Sequence, residues 1–330
     1  MGFLALFIQK NQVDSLMHFL IFSLVTNLFF LPPKYFWGFY GHGLINQQAV
    51  FSLPPEMLIL YKTEVRYLAD HAVNPDRRRY AVKGEAEKHY IDLDHYPDSV
   101  RYRLPKYWTA ALEQYPEDSL RIRGIGPWST YLCLISLTKA LAARDKAAIL
   151  RLSADLGHYL GDLNVPLHTT KNYNGQMTGQ VGIHGFWESR VPELLAINYS
   201  FWVGKADYVP DPQQALWEAV VRAHAQVDTV LSVEKKLTNT FPDGQKYSYE
   251  ERNGLTVRVY SRAFTEAYAA AIRGQVERQM RSSIKMVADF WYTAWVNAGQ
   301  PDLSKLPNLQ EAQKDSLPLH SKIWLRMHDD

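Results

Sequence analysis

A chain of 330 residues with 47% apolar and 21% charged side chains has the composition of a globular protein with a sizeable core, one large domain or two ordinary ones. Its 36 basic and 34 acidic residues leave a formal charge of +2. That balance excludes a global field for nucleic acid or an anionic membrane, so any attraction for anions has to be local, and the single cysteine, Cys133, excludes an internal disulfide.

In chain order, the first element is an apolar run, "LMHFLIFSLVTNLFFL" from Leu16 to Leu31, interrupted by His18, Ser23, Thr26 and Asn27. It is shorter than the roughly 20 residues that span a bilayer. Its length suits a secretory segment, with Met17 as a start, and the other readings are an uncleaved anchor or a buried helix. No small-x-small cleavage site follows; the chain reads "LPPKYFWGFYGH". The expectation is a signal or hydrophobic segment over 1–36 and an exported protein, periplasmic or secreted, tethered if the segment is kept.

After Pro33 the composition becomes that of a globular domain. "GHGLINQQAVF" reads as a helix ended by Pro54 and Pro55, and "PEMLILYKTEVRYLADHAV" as a second, ended near Asn74 and Pro75. Arg77 to Leu104 has no clean period and reads as ordered loop, with a helix after Tyr107. "STYLCLISLTKALAAR" and "DKAAILRLSADLGHYLGD" predict two helices broken near Arg144 and Asp145. Asn164 to Gly182 reads as loop, "GFWESRVPELLAINY" as a helix and "PQQALWEAVVRAHAQVDTVLSVEKKL" as one long helix. "KYSYEERNGLTVRVYS" alternates around Asn253-Gly254, which predicts a small β-hairpin. A last long helix is expected from Arg262 to Ala298, with its "FWYTAWV" end in the core and no strong structure after Pro301. Short linkers and no repeat predict a single, mainly α-helical domain over 37–300 with a tail over 301–330.

The chemistry concentrates in "SADLGHYLGDLNVPLHTTKNYNGQMTGQVGIHGFWES", Ser153 to Ser189. His158 and Asp162 are four apart, on one face of a predicted helix. Pro166 ends that helix, His168 follows the break, and His184 and Glu188 repeat the four-residue spacing. Two histidine–carboxylate pairs on facing helices can converge on metal inside a bundle, and imidazole with carboxylate suits zinc. Each residue alone is more often structural; the joint pattern is much more specific.

"HYLGDLNVPLH" followed by "HGFWE" resembles the superfamily of bacterial zinc-dependent phospholipases C and secreted single-strand nucleases of the P-one and S-one type. "WGFYGH", Trp37 to His42, resembles the W-G-x-x-G-H that begins the mature nucleases, and "PDRRRY" with "KHYIDLD" resembles their aspartate and H-F-I-D segment. The resemblance covers Trp37 to Leu195. It implies a mostly helical phospholipase C/P-one nuclease-like fold holding three zinc ions. Asp76, His89, His158 and Asp162 would hold one, with Asp70 the rival to Asp76. His168, His184 and Glu188 would hold a second with positions open to water. Asp162 would bridge to a third, bound also by His42 and by the free amine and carbonyl of Trp37. A peptide-bonded nitrogen has no lone pair to offer, so the third site requires cleavage immediately before Trp37. Asp92, matching the aspartate of H-F-I-D, and Asp76 are the candidate catalytic carboxylates. Asp155 reads as an outer-layer or surface residue.

Three zinc ions against Asp76, Asp162 and Glu188 leave an excess of about +3, enough to hold a phosphodiester and to generate hydroxide from bound water near neutral pH. The expected reaction is in-line attack of zinc-bound hydroxide on phosphorus, with a neighbouring zinc on the leaving oxygen. The motifs lean to a single-strand nuclease, while Glu188 leans to a phospholipase C that removes lipid head groups. Tyr173, Phe186 and Trp187 could stack on bases, or pack the core or meet acyl chains. An inactive zinc-binding envelope protein is the third reading. A phosphodiester substrate is expected, and no protein partner is implied.

Overall fold

Helix α1 (Phe39–Val50) runs into the Pro54–Pro55 stop expected of it. Pro55 then opens α2 (Pro55–Tyr61), since a ring-locked φ costs nothing in the first turn. The expected continuous second helix is interrupted between Tyr61 and Val65, where Thr63 Oγ1 donates to the Ile59 carbonyl at 2.9 Å. The chain resumes as α3 (Val65–His71), and Pro75 starts another short helix, α4 (Asn74–Arg78), where a stop was expected. The computed structural model that shows this describes residues 39–252 and 254–306. The expected N-terminal segment, Trp37, Asn253 and most of the C-terminal tail lie outside the described residues. Among the described residues no helix is long and apolar enough to cross a membrane.

The stretch from 79 to 107 is loop with two 3₁₀ turns, Ala86–His89 and Leu93–His95. Then come α5 (Trp108–Gln114), α6 (Glu117–Ile122), α7 (Gly126–Ala142) and α8 (Lys146–Asp162). The break between α7 and α8 falls at Arg144, held at a φ of 56°, and Asp145 caps α8 by accepting from the Ala148 N–H at 3.0 Å. A 3₁₀ turn, Pro166–Thr169, precedes α9 (Ile183–Gly185), a π turn (Phe186–Arg190) and α10 (Val191–Leu195).

The long helix expected from Pro212 divides into α11 (Pro212–His224) and α12 (Val227–Thr240). The hairpin follows as expected: β1 (Tyr247–Arg252) pairs antiparallel with β2 (Leu255–Tyr260), Tyr247 opposite Tyr260 and Arg252 opposite Leu255. The last expected helix is also two, α13 (Arg262–Ala271) and α14 (Gln275–Asn297), because Arg273 and Gly274 take positive φ values of 52° and 69°. Ordered structure passes residue 300: Leu303 is buried in a 3₁₀ turn, Leu303–Lys305, against α2.

The architecture is mainly α-helical, with α8 and α14 at its centre. Helix α14 packs on α1, α7 and α8, and buries Phe290, Trp291 and Trp295. Each such ring contributes roughly 2–3 kcal/mol through the apolar surface it removes from water. Trp291 also donates its indole N–H to the Ser153 carbonyl on α8 at 3.0 Å. Helix α1 approaches α8 where the latter has no side chains. A Cβ on Gly157 would fall 1.9 Å from Asn46 Oδ1, and one on Gly161 would fall 3.1 Å from His42 Nδ1. Asn46 uses the close approach to donate to the carbonyls of Leu68 and Ala154, at 3.2 Å each. The pair of glycines thus sets how deeply His42 sits beside His158.

Candidate metal centre

Eight of the residues singled out by sequence lie in one buried region. Helix α1 supplies His42, α4 supplies Asp76, and the 3₁₀ turn before residue 90 supplies His89. His158 and Asp162 lie one turn apart on the last two turns of α8; His168 lies in the next 3₁₀ turn. His184 lies in α9, and the π turn brings Glu188 under it, with His184 Nε2 2.5 Å from Glu188 Oε2. A π turn at a candidate site fits the general tendency of such turns to occur where function needs a re-aimed side chain.

Three groups of ligand-type atoms result: His42, His158 and Asp162; Asp76, His89 and His158; and His168, His184 and Glu188. Around the second, His89 Nδ1 lies 2.9 Å from Asp162 Oδ2 and 3.7 Å from Asp76 Oδ1. His158 Nε2 lies 3.2 Å from Asp162 Oδ2 and 3.8 Å from Asp76 Oδ1. The two ring nitrogens are 3.0 Å apart, so both cannot carry a proton between them. His42 Nε2 stands 3.4 Å from the other oxygen of Asp162, and His168 Nε2 3.9 Å from that same oxygen. Asp162 therefore faces His42, His89, His158 and His168.

The third group has its ring tautomers fixed by the main chain. His168 Nδ1 donates to the His89 carbonyl at 2.6 Å, and His184 Nδ1 donates to the Tyr173 carbonyl at 3.1 Å. Carbonyls only accept, so both Nδ1 atoms carry hydrogen and both Nε2 atoms are left to face Glu188. His168 Nε2 is 3.4 Å from Glu188 Oε1. Two imidazole nitrogens and a carboxylate aimed at one another, all but His184 deeply buried, are the donor set of a divalent cation. The residues present fit zinc.

The electrostatics agree with that chemistry. Burial depresses the pKa of His42 and of His89, which keeps both rings neutral and able to donate a lone pair. Burial also opposes charge on His168, but the carboxylates of Asp162 and Glu188 lift it to about 9. Glu188 is likewise opposed by burial, yet His184 and His168 draw it down to about 2. Asp162 is held well below the usual carboxylate range, against its burial, by His158 and His168. Asp162 and Glu188 are thus held ionised facing imidazoles, the arrangement a divalent cation would bind.

Other expectations find definite places. Asp70, the rival to Asp76, is 64% exposed and pairs with Arg66 on its own helix, 3.5 Å away. Asp92 belongs to none of the three groups. It is buried near His168, and burial with the Asp94 charge raises its carboxyl to about 7. Tyr173 is 53% exposed with its ring edge toward His184, 6.1 Å between centroids, at the open side of the third group. Trp187 corrects the sequence reading. It is fully buried, its indole N–H donates to Gln275 at 3.0 Å, and it has no face to offer a substrate. Phe186 is buried too, stacked on Tyr260. Trp37 lies outside the described residues.

Sequence reading missed the frame around these side chains. Arg78 donates to Asp155 at 3.0 and 3.2 Å and to Glu85 at 3.1 Å, and Lys88 donates to Glu85 at 2.8 Å. Asp94 fixes the strand of loop after His168, accepting from Thr170 Oγ1 at 2.7 Å and the Lys171 N–H at 2.9 Å. The available signal was the spacing of acids in "HYIDLDH", where Asp94 stands two residues past Asp92.

No protein-family model matches the chain, and no curated protein matches it. Among solved structures, the alpha toxin from Clostridium absonum matches with a TM-score of 0.43 and 13% sequence identity, over 83% of this chain and 66% of that one. The chain therefore spans slightly less than two thirds of that toxin's length. The case for a metal centre rests on the buried imidazoles and carboxylates of this chain itself.

Proposed function

We propose that the protein is a zinc-dependent phosphodiester hydrolase. The observation that carries this reading is the convergence of His42, Asp76, His89, His158, Asp162, His168, His184 and Glu188 into three adjoining groups of ligand atoms. Asp76, His89, His158 and Asp162 would hold one ion, and His168, His184 and Glu188 a second. His42 and Asp162 would contribute to a third, completed by Trp37 if the chain is cut before it. Zinc in such positions supplies Lewis acidity and acidifies water near neutral pH.

The chain's own residues do the rest. The carbonyls of His89 and Tyr173 orient His168 and His184, so the third group is preorganised. That group offers only three protein atoms, which leaves room for a substrate oxygen; a purely structural zinc site is closed by four. This argues against an inert zinc-binding envelope protein. Asp92 lies near His168 outside the three groups, and in the metal-free chain burial raises its carboxyl to about 7, so there it can hold a proton near neutral pH.

Exposed Tyr173 beside His184 favours a single-stranded nucleic acid, whose bases stack on aromatic rings. A second reading, a phospholipid head group, draws on Met177 and Val181, both exposed on the same loop as Tyr173. Hydrolysis of bis-p-nitrophenyl phosphate, abolished by chelator and restored by zinc, tests the activity. Zinc-loaded protein inert toward it would leave the envelope-protein reading. Single-stranded DNA and phosphatidylcholine, assayed side by side, separate the two substrate classes.

A further inference from the structure

Away from the eight metal-type residues, helices α11 and α14 and the loop between residues 199 and 211 line an open, solvent-facing cavity of about 520 Å³. Its composition is uneven. Val203, Val209, Ala215 and Phe290 give apolar wall, while Arg222, Arg278, Arg281 and Lys285 bring four cations to the same space. The arrangement follows from helical spacing: Ala215, Glu218 and Arg222 form one row on α11, and Arg278, Arg281 and Lys285 form the facing row on α14.

The cations are not equally compensated. Lys285 is neutralised by Asp207 at 2.8 Å and Asp289 at 2.5 Å, and Arg222 is 3.8 Å from Glu218. Arg278 and Arg281 instead donate to main-chain carbonyls, of Arg273 and Ser200, and no described carboxylate lies within ion-pair distance of either. Two guanidinium groups with no ion-paired carboxylate, Arg278 exposed and Arg281 half-buried at the edge of a partly apolar cavity, are open to an anion; Glu277, one turn before Arg281, accepts from the Ser200 N–H at 3.0 Å instead. A guanidinium pair matches a phosphate-type head in charge and in fork geometry.

We propose that this cavity binds a small amphiphilic anion, with a phosphate-type head held by Arg278 and Arg281 and an apolar body against Val203, Val209 and Phe290. The site is independent of the metal centre and of the hydrolase reading.

The probe is 1-naphthylphosphonate, which has no hydrolysable ester, titrated by calorimetry into zinc-loaded full chain. Saturable binding is expected, with inorganic phosphate and 1-naphthol each binding far more weakly. Arg278→Ala with Arg281→Ala should weaken it at least about tenfold. Ser282→Glu places a carboxylate at the exposed lining position without removing packing, and should also abolish it. Zinc content should be unchanged in both variants, which separates this site from phosphonate bound at the metals. Binding that persists undiminished in both variants would overturn the proposal, as would absence of binding at millimolar probe. Inorganic phosphate binding as tightly as the naphthyl compound would also overturn it, since the cavity would then read charge alone.

Discussion

His168 donates its Nδ1–H to the backbone carbonyl of His89, 2.6 Å away. A ring of one ligand group is thus anchored by the main chain of a residue in the neighbouring group. Asp162 makes a second connection, facing His89 and His158 with one oxygen and His42 and His168 with the other. The groups are built as one unit, and removing a shared member costs more than removing a peripheral one.

Zinc stoichiometry should show this. His158 belongs to two groups and His184 to one. His158→Ala is expected to lose more bound zinc than His184→Ala, and both should lose hydrolase activity. Elemental analysis of purified variants measures it directly. Full zinc content in both would falsify the ligand assignments.

Much of this centre could be read in the sequence, because a helix converts a four-residue spacing into shared direction. His158 with Asp162 needed nothing else, whereas His184 and Glu188 meet through a π turn that their spacing alone did not announce. Proline was equally legible at the end of α1. The helix breaks at Thr63, Gln226 and Arg273 were not, since the apolar stripe runs on across them and only the local backbone differs. Gly274, left-handed at φ 69°, was the missed sign for the last break. Trp187 shows the opposite failure. Its neighbour Glu188 faces the centre, and a residue one position away on a helical turn points elsewhere, here into the core against Gln275. The second missed sign was Gly157 and Gly161, whose lack of side chains admits α1 and its His42.

The exposed tyrosine and the buried tryptophan should separate in kinetics. Tyr173→Ala removes a ring at the open side of the third group but leaves the carbonyl that orients His184. KM for single-stranded DNA should rise about tenfold, the scale of one lost base–aromatic stack, with zinc content unchanged. Trp187→Phe should leave KM alone and cost roughly 1–3 kcal/mol of stability, because the side-chain Oε1 of Gln275 loses a buried donor. The reverse pattern would remove Tyr173 from the substrate path.

Asp92 should make the metal-free protein sensitive to pH. Burial first, and then the charge of Asp94, raise its carboxyl to about 7, against the opposing effect of His168 and Lys171. A raised carboxyl favours the protonated form in the fold, so its penalty is absent below about pH 4 and complete above about pH 7. Each tenfold gain in proton affinity on folding corresponds to about 1.4 kcal/mol. Asp92→Asn should therefore stabilise the metal-free protein at pH 8 and change little at pH 4, measured by urea unfolding. Equal effects at both pH values would show that the Asp92 carboxyl titrates normally.

Arg78 should carry the frame behind His158. It pairs with Asp155 and Glu85, two buried acids that no other cation but Lys88 approaches among the described ion pairs. Arg78→Met keeps the side-chain volume and strands Asp155, so a loss of about 3 kcal/mol at pH 7 is expected from breaking a buried pair. Glu85 sets the pH dependence. Its burial works against charge, but Lys88 and Arg78 pull it down to about 2. A depressed carboxyl stabilises the fold above its unfolded value of about 4.5 and loses that contribution as pH falls toward 2. Part of what Arg78 supplies is therefore lost in acid for the parent protein as well. The gap between parent and variant should narrow from pH 7 to pH 3 in denaturant titrations. A gap that stays constant, or widens, would mean that Arg78 acts through packing of its stem and not through the charges of Asp155 and Glu85.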